Sequence, residues 1–294
     1  MYLETTSMNV HLISTGHVKI TQNWRVGKGS GIARLANTLL DKNFTEWLPI
    51  YCTVIEHPEG LIVVDTGIPA DANAPPYFPP HLLLMQRAAF FDISAEDEIG
   101  TQMQRRGLDP ADVRWVVLTH LHQDHDGGLK HFPNAEIVIA RPEWAAGQGW
   151  GGRMNGYHNG RWRSITPTLV EFENRVYYNF ARSETLTRAG DIRLVPTPGH
   201  SAGHLSVVVE QGDHALMVAG DAAYTQELLL NDAIDGIGPD PAAQLETHRQ
   251  IKAFATQVPT IFLPSHDPDA QYRLDHRIAI PASVDHVARI KDFA

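Results

Sequence analysis

The stretch "LTHLHQDHDGG", residues 118–128, sets three imidazoles and two carboxylates within seven residues: His120, His122, Asp124, His125 and Asp126. Imidazole and carboxylate without thiolate form the donor set of zinc, iron, manganese or cobalt in hydrolytic or oxygen-activating centres. His120 and His122 stand two apart just past the apolar run 113–118. On extended backbone both rings then point to one side and can share one ion. Asp124 and His125 follow where Gly127 and Gly128 permit a tight reversal into a helix. That turn sets them beside the first pair and gives a second ion a place, since two-metal hydrolytic centres hold their ions about 3.5–4 Å apart. Asp126 reads as an outward-facing group at a helix start, not as a ligand.

Three further candidates each stand at the end of an apolar run: His200 in "VPTPGHSAGH", Asp221 in "LMVAGDAAY" and His266 in "IFLPSHDP". Strand ends along one edge of a sheet are where α/β folds build sites. His204 draws attention by its closeness to His200. The remaining histidines lack such company and read as solvated or structural.

The order H-x-H-x-D-H, then P-G-H, then G-D, then S-H resembles the metallo-β-lactamase superfamily over residues 61–267. The resemblance implies a four-layer αββα sandwich with a metal centre at one edge. It assigns His120, His122 and His200 to one divalent metal and Asp124, His125 and His266 to the other, with Asp221 bridging. Zinc is the first expectation for both ions, with iron, cobalt or manganese as alternatives. Asp65 in "LIVVDTG" falls behind the ligands rather than among them.

Position 221 is aspartate where many true β-lactamases carry cysteine, and "GDAAY" puts Tyr224 three residues later. This Asp-x-x-Tyr arrangement, with "NWRVGKG" and "PIYCTVIEHPEGLIVVDTG", is similar to the N-acyl homoserine lactonases. The resemblance implies quorum-quenching hydrolysis. A metal-bridging hydroxide attacks the lactone carbonyl, Tyr224 donates to the developing oxyanion, and Asp124 carries the proton to the leaving alkoxide. Trp24, residues 77–91 and residues 144–150 could line a channel for the acyl tail. Alternatives on the same scaffold are an aryl-ester or organophosphate hydrolase or another lactonase, and from a different class an iron-dependent persulfide-type oxygenase. Glyoxalase II, ribonuclease Z and the flavodiiron proteins match less well, for want of a basic cluster, a basic surface and a flavodoxin-like domain.

The elements that must position these groups follow from apolar patterning. "NVHLISTGHVKI" and "IYCTVIEHPEGLIVVDTG" read as strands of an antiparallel sheet, the second a hairpin turning at 57–60. "DVRWVVLTH" is apolar without interruption, as expected of a strand covered on both faces. "AEIVIARPEW", three runs within 191–224 and "TIFLPSHDP" supply further strands. Helices are expected from the Ser94 cap to Gly107, over "DPAAQLETHRQIKAFATQ", and near 284–293. The glycines at 27, 29 and 31 read as a flexible surface loop, since they lack the spacing of a phosphate-binding loop.

One domain over 1–294 is expected, with coverings of the site near 68–91 and 144–180; the apolar 68–91 segment could also serve a homodimer contact. Hydrophobic residues are 43% and charged residues 20%, proportions of a folded globular chain. With 24 Lys plus Arg against 34 Asp plus Glu, the net charge is −10, which disfavours nucleic acid and anionic membrane partners. The absence of a signal-like or spanning apolar segment makes a cytoplasmic location the default. The single cysteine, Cys52, reads as a small buried core residue.

Overall fold

Strand patterning sets the layers: Ile62 and Val64 face one side of their strand and Val63 the other, and all three are buried. The structure is a computed structural model that describes residues 8–74, 77, 83–162 and 165–281. The expected closing helix near 284–293 lies outside these residues.

A seven-stranded sheet comprises β1 (Asn9–Ile20), β2 (Leu48–Glu56), β3 (Leu61–Val64), β4 (Ala89–Asp92), β5 (Val113–Val117), β6 (Glu136–Ala140) and β7 (Thr168–Val170), in the order β4-β1-β2-β3-β5-β6-β7. Strands β1, β2 and β3 pair antiparallel, whereas β3, β5, β6 and β7 pair parallel. The β2–β3 hairpin turns where expected, with Gly60 N donating to His57 O at 2.9 Å. The second sheet holds β8 (Glu184–Thr185), β9 (Ile192–Pro196), β10 (Leu205–Glu210), β11 (Ala215–Gly220) and β12 (Thr260–Pro264), in the order β12-β11-β10-β9-β8. Only its β11–β12 pair is parallel.

The helices are α1 (Gln22–Arg25), α2 (Gly31–Leu40), α3 (Leu83–Ala88), α4 (Ile99–Gln104), α5 (Gln123–Asp126), α6 (Arg141–Gly147), α7 (Gly149–Met154), α8 (Gln226–Leu230), α9 (Pro241–Ala255) and α10 (Ala270–Asp275). Between the sheets, Trp115, Val117 and Val138 meet Leu194, Val207, Val218 and Leu263. The outer face of the first sheet, through Val63, Val116 and Ile139, lies under Ile99 and Met103 of α4. On the other side Val208, Met217 and Phe262 lie under Leu229 of α8 and Ile251 and Phe254 of α9. Each layer thus buries its apolar face against the next, giving the αββα sandwich that the sequence led us to expect.

Two local expectations change. The loop read around Gly27 to Gly31 opens a helix, α2, which buries Arg34; its guanidinium donates to the backbone oxygens of Asp235 and Gly238. That anchor lies two hundred residues away, beyond the reach of local patterning. The helix expected from Ser94 starts only at Ile99, because Ser94 is engaged in a turn with Asp97. Residues 144–180 contribute α7 and the edge strand β7, and send Tyr157 and Trp162 into the core beneath the first sheet, so their aromatic richness is largely packing.

Candidate metal centre and the cavity beside it

His120 and His122 follow β5, Asp221 follows β11 directly, and His266 stands two residues beyond β12. His200 lies on the loop from β9 to β10. The crossovers bring all of them to one edge of the sandwich, with Asp65 at the end of β3. The short α5 carries Asp124 and His125. The glycines after it act by close approach and not by an unusual backbone angle, contrary to the expected reversal. Gly127 and Gly128 have φ of −68° and −92°, but a Cβ on Gly128 would overlap Thr66 O, and one on Gly127 would crowd Pro69. Gly127 N donates to Gly67 O at 2.9 Å and Gly128 N to Thr66 Oγ1 at 3.0 Å, so α5 is fastened to the loop after β3.

The seven expected ligand residues converge. His122 Nδ1 lies 3.0 Å from both His120 Nε2 and His200 Nε2. Asp221 divides its two oxygens: Oδ2 is 3.4 Å from His200 Nε2, and Oδ1 is 3.4 Å from both His125 Nε2 and His266 Nε2. Asp124 closes the second group, with Oδ2 3.4 Å from His266 Nε2 and Oδ1 3.8 Å from His125 Nε2. Two compact donor groups result, His120 with His122 and His200, and Asp124 with His125 and His266, and a third set, His120 with His125 and Asp221, joins them. A carboxylate with one oxygen toward each can span the pair.

The opposite face of most of these rings is held. His125 Nδ1 lies 2.8 Å from Asp65 Oδ2, and Asp65 also accepts from Thr119 N and Thr119 Oγ1 at 2.8 Å each. His200 Nδ1 lies 2.8 Å from Asp235 Oδ2, while His266 Nδ1 donates to Pro49 O at 2.8 Å. These contacts turn each Nε2 toward the other ligand residues. Burial works against charge on the three rings, but the neighbouring carboxylates outweigh it and hold all three above the ordinary histidine range, so a bound cation would take the place of a proton. Asp235 escaped the sequence reading. It sits in "NDAIDGIG" with no motif around it, yet it also accepts from Ile237 N, Gly238 N and Gln244 Nε2.

The donor set fits divalent cations. His125 Nε2 and Asp221 Oδ1 are buried without a hydrogen-bond partner although they stand 3.4 Å apart, as expected of lone pairs aimed at a shared point rather than at each other. Among the described residues, the ion pairs of Asp65, Asp124, Asp221 and Asp235 are all with histidines, so no lysine or arginine balances four converging carboxylates. Burial and the neighbouring imidazoles push His120 and His122 well below the ordinary histidine range, which keeps them neutral donors.

Two neighbours differ from expectation or sharpen it. Asp126 is buried, not outward-facing: it accepts from Trp162 Nε1 at 2.6 Å and pairs with the Arg161 guanidinium. These partners lie far along the chain, so a helix-start pattern could not reveal them. His204 belongs to neither donor group. Its Nε2 accepts from Asp221 N at 3.0 Å and its Nδ1 donates to Thr197 Oγ1 at 2.9 Å, while burial pushes its pKa down to about 3. It remains a neutral acceptor that orients the backbone of Asp221.

Tyr224 packs its ring 5.7 Å from that of His200 and 5.5 Å from that of His266. Its hydroxyl accepts from Trp24 Nε1 at 2.9 Å. Burial, reinforced by Asp235 and Asp221, raises the phenol well above its ordinary range, so it keeps its proton. A cavity opens beside Tyr224, His122, Asp124, Asp221 and His266, with a wall of Val18, Ile20, Trp24, Ala89, Phe91 and Ile237. Gln86, Gln123 and Gly156 complete it, and among the described residues neither lysine nor arginine lines it. Of the aromatics expected around a tail channel, Trp24 and Phe91 reach the cavity; Trp144 stacks near Trp162 instead, and Trp150 is exposed.

The family model described as Metallo-beta-lactamase superfamily matches residues 45–266. N-acyl homoserine lactonase AttM of Azorhizobium caulinodans is 26% identical over 286 residues, covering 90% of this chain and 95% of its own length. An N-acyl homoserine lactonase of Bacillus cereus is 30% identical over 228 residues, covering 75% of this chain and 82% of its own. Among solved structures, an N-acyl homoserine lactone hydrolase with N-hexanoyl-L-homoserine at its catalytic metal centre superposes with a TM-score of 0.70. It is 23% identical, with 91% of this chain and 96% of that one covered, a likeness of fold.

Proposed function

From a chain that belongs to the metallo-beta-lactamase superfamily, we propose a metal-dependent hydrolase that opens the ring of N-acyl homoserine lactones. The observation that carries this reading is the junction of two donor groups with an apolar wall that, among the described residues, has no cationic side chain. An uncharged ester with an aliphatic tail suits such a wall; an anionic substrate would enter it without a counter-charge. The names of the curated relatives agree with it.

His120, His122 and His200 would hold one divalent ion and Asp124, His125 and His266 the other, with Asp221 between them. Such ions, zinc first, supply Lewis acidity toward the ester carbonyl and lower the pKa of a coordinated water. The chain's own groups do the rest. Trp24 holds the Tyr224 oxygen as an acceptor, so the phenol proton is directed elsewhere and can be donated to the carbonyl oxygen as charge develops on it. As water adds to the carbonyl carbon and the ring C–O bond breaks, Asp124 is placed to carry the released proton to the alkoxide. Val18, Ile20 and Phe91 take the acyl tail out of water. In this reading residues 1–294 form one domain and the segments near 68–91 and 144–180 border the site, with Gln86, Ala89 and Gly156 on its wall.

A single-iron oxygenase would leave the group Asp124, His125 and His266 without a role. The test is pH-monitored hydrolysis of hexanoyl and dodecanoyl homoserine lactones beside an aryl ester and a phosphotriester, on protein whose metal content has been measured. The expected result is fastest turnover of the lactones with two metal equivalents per chain. Negligible lactone turnover with brisk phosphotriester turnover would overturn the proposal, as would a single bound iron.

A further inference from the structure

One buried carboxyl stands apart from the seven proposed ligands and is left unused by the proposed reaction. Glu143, the third residue of α6, has no exposed surface, and four donors converge on it. Its Oε1 accepts from Leu121 N at 3.0 Å and from the Tyr157 hydroxyl at 3.1 Å. Its Oε2 accepts from Ser201 Oγ at 2.7 Å and from Gly203 N at 2.9 Å. A buried carboxyl is costly unless its oxygens are paired, and here each oxygen meets one backbone N–H and one hydroxyl. An aliphatic side chain would fill the same space without that cost, but it would join nothing.

What the two oxygens join is specific. Leu121 lies between His120 and His122, and Ser201 follows His200 directly. Gly203 precedes His204, whose Nε2 accepts from Asp221 N at 3.0 Å. Tyr157 lays its ring 5.7 Å from that of His122. One oxygen thus fastens the segment that carries His120 and His122, and the other fastens the loop that carries His200, although His122 and His200 lie 78 residues apart in sequence. The second donor group is held elsewhere, His125 by Asp65 and His266 by Pro49 O. We propose that Glu143 is a positioning residue: through its two oxygens it sets His120 and His122 against His200, and so determines the metal affinity of that donor group and not of the other. This inference rests on the two-metal reading above.

Backbone N–H groups cannot become acceptors, and that makes Glu143→Gln a sharp test. The variant keeps the shape but replaces one oxygen with an NH2 group. Whichever way the amide is turned, that group faces either Leu121 N–H or Gly203 N–H, so one of the two segments is released. The experiment measures the stepwise zinc affinities of the full chain by chelator competition, for the wild type, for Glu143→Gln and for His122→Ala. The last deletes a ligand of the first group alone and marks the step that belongs to it. The expected result is that Glu143→Gln weakens this step by about tenfold to a hundredfold, the scale for losing a group that orients a ligand, and leaves the other within about threefold. A role in packing alone predicts no change, because the shape is kept. An unchanged first step, or equal weakening of both, overturns the inference and leaves the metal pair standing. A wild type that does not bind two zinc equivalents overturns both. Should Glu143→Gln not fold, Ser201→Ala decides: it removes one donor to Oε2 and should weaken the same step by about twofold to tenfold, the scale of one hydrogen bond, whereas an unchanged step would sink the proposal.

Discussion

The Trp24 indole N–H donates to the Tyr224 hydroxyl oxygen at 2.9 Å, a contact that spans 200 residues of sequence. It gives the phenol a defined donor direction beside the proposed metal pair. Tyr224→Phe is expected to slow lactone opening by about tenfold to a hundredfold with both metals retained, the scale for losing one oxyanion donor or somewhat less. Trp24→Phe should slow it by about twofold to tenfold, since the phenol survives but loses its orienting bond. Steady-state kinetics with metal analysis distinguishes the cases. Loss of metal from Tyr224→Phe would make that tyrosine a structural prop.

Asp235 supports a different part of the centre. Its Oδ2 lies 2.8 Å from His200 Nδ1, and its charge is held by two backbone N–H groups and Gln244. Asp235→Ala frees the His200 ring to turn and weakens its basicity. The expected outcome is metal affinity lower by about tenfold to a hundredfold at the His120, His122 and His200 group, read by chelator competition. Unchanged affinity would mean that packing alone orients His200.

How far the molecule was legible depended on the sequence separation of each contact. His120, His122, Asp124 and His125 lie within six residues, and His200, Asp221 and His266 each end an apolar run, so residue type and period brought them forward. The alternation at Ile62, Val63 and Val64 likewise carried the layer order. Asp126 looked like a helix-start group because its partners, Arg161 and Trp162, lie about 35 residues on. Asp235 had no local mark at all and is explained only by His200; Trp24 was marked as a channel residue, but its bond to Tyr224 appears only in three dimensions. The helix α2 was read as a loop because three glycines precede or begin it, while the Arg34 anchor that fastens it appears only in three dimensions.

The contact between α5 and the loop after β3 yields a stability prediction. A Cβ on Gly128 would overlap the backbone oxygen of Thr66, and backbone in a sheet-end loop cannot move aside as a flexible side chain can. Gly128→Ala should therefore destabilise the protein by about 1–3 kcal/mol, as overpacking does. It should also lower metal occupancy, because α5 carries Asp124 and His125. Denaturant unfolding followed with metal analysis tests both. A variant as stable and as metal-loaded as the wild type would show that the loop after β3 yields freely.

Glu98 offers a pH-dependent test away from the ligands. It is 8% exposed and accepts from Ala70 N at 2.9 Å and Lys130 Nζ at 3.0 Å, with His131 Nε2 at 2.6 Å, so it joins the loop after β3 to the turn after α5. Burial works against its charge, but the hydrogen bonds from Lys130, Ala70 and His131 outweigh it and hold the carboxyl below its ordinary value. A carboxyl with a folded-state pKa below its unfolded one contributes stability above the unfolded value and loses that contribution as the pH falls through the folded one. Glu98→Gln should then be less stable than the wild type by about 1 kcal/mol near neutrality, the scale of one net hydrogen bond, since the amide oxygen still accepts from some of the same donors. The gap between the two proteins should close as the pH falls below the ordinary glutamate range. Using the difference cancels the acid sensitivity of the proposed metal ligands, which both proteins share. Thermal unfolding of the pair from pH 7 to pH 3.5 is the measurement, and a gap that is constant or widens toward acid would mean that the Glu98 charge does not stabilise the fold.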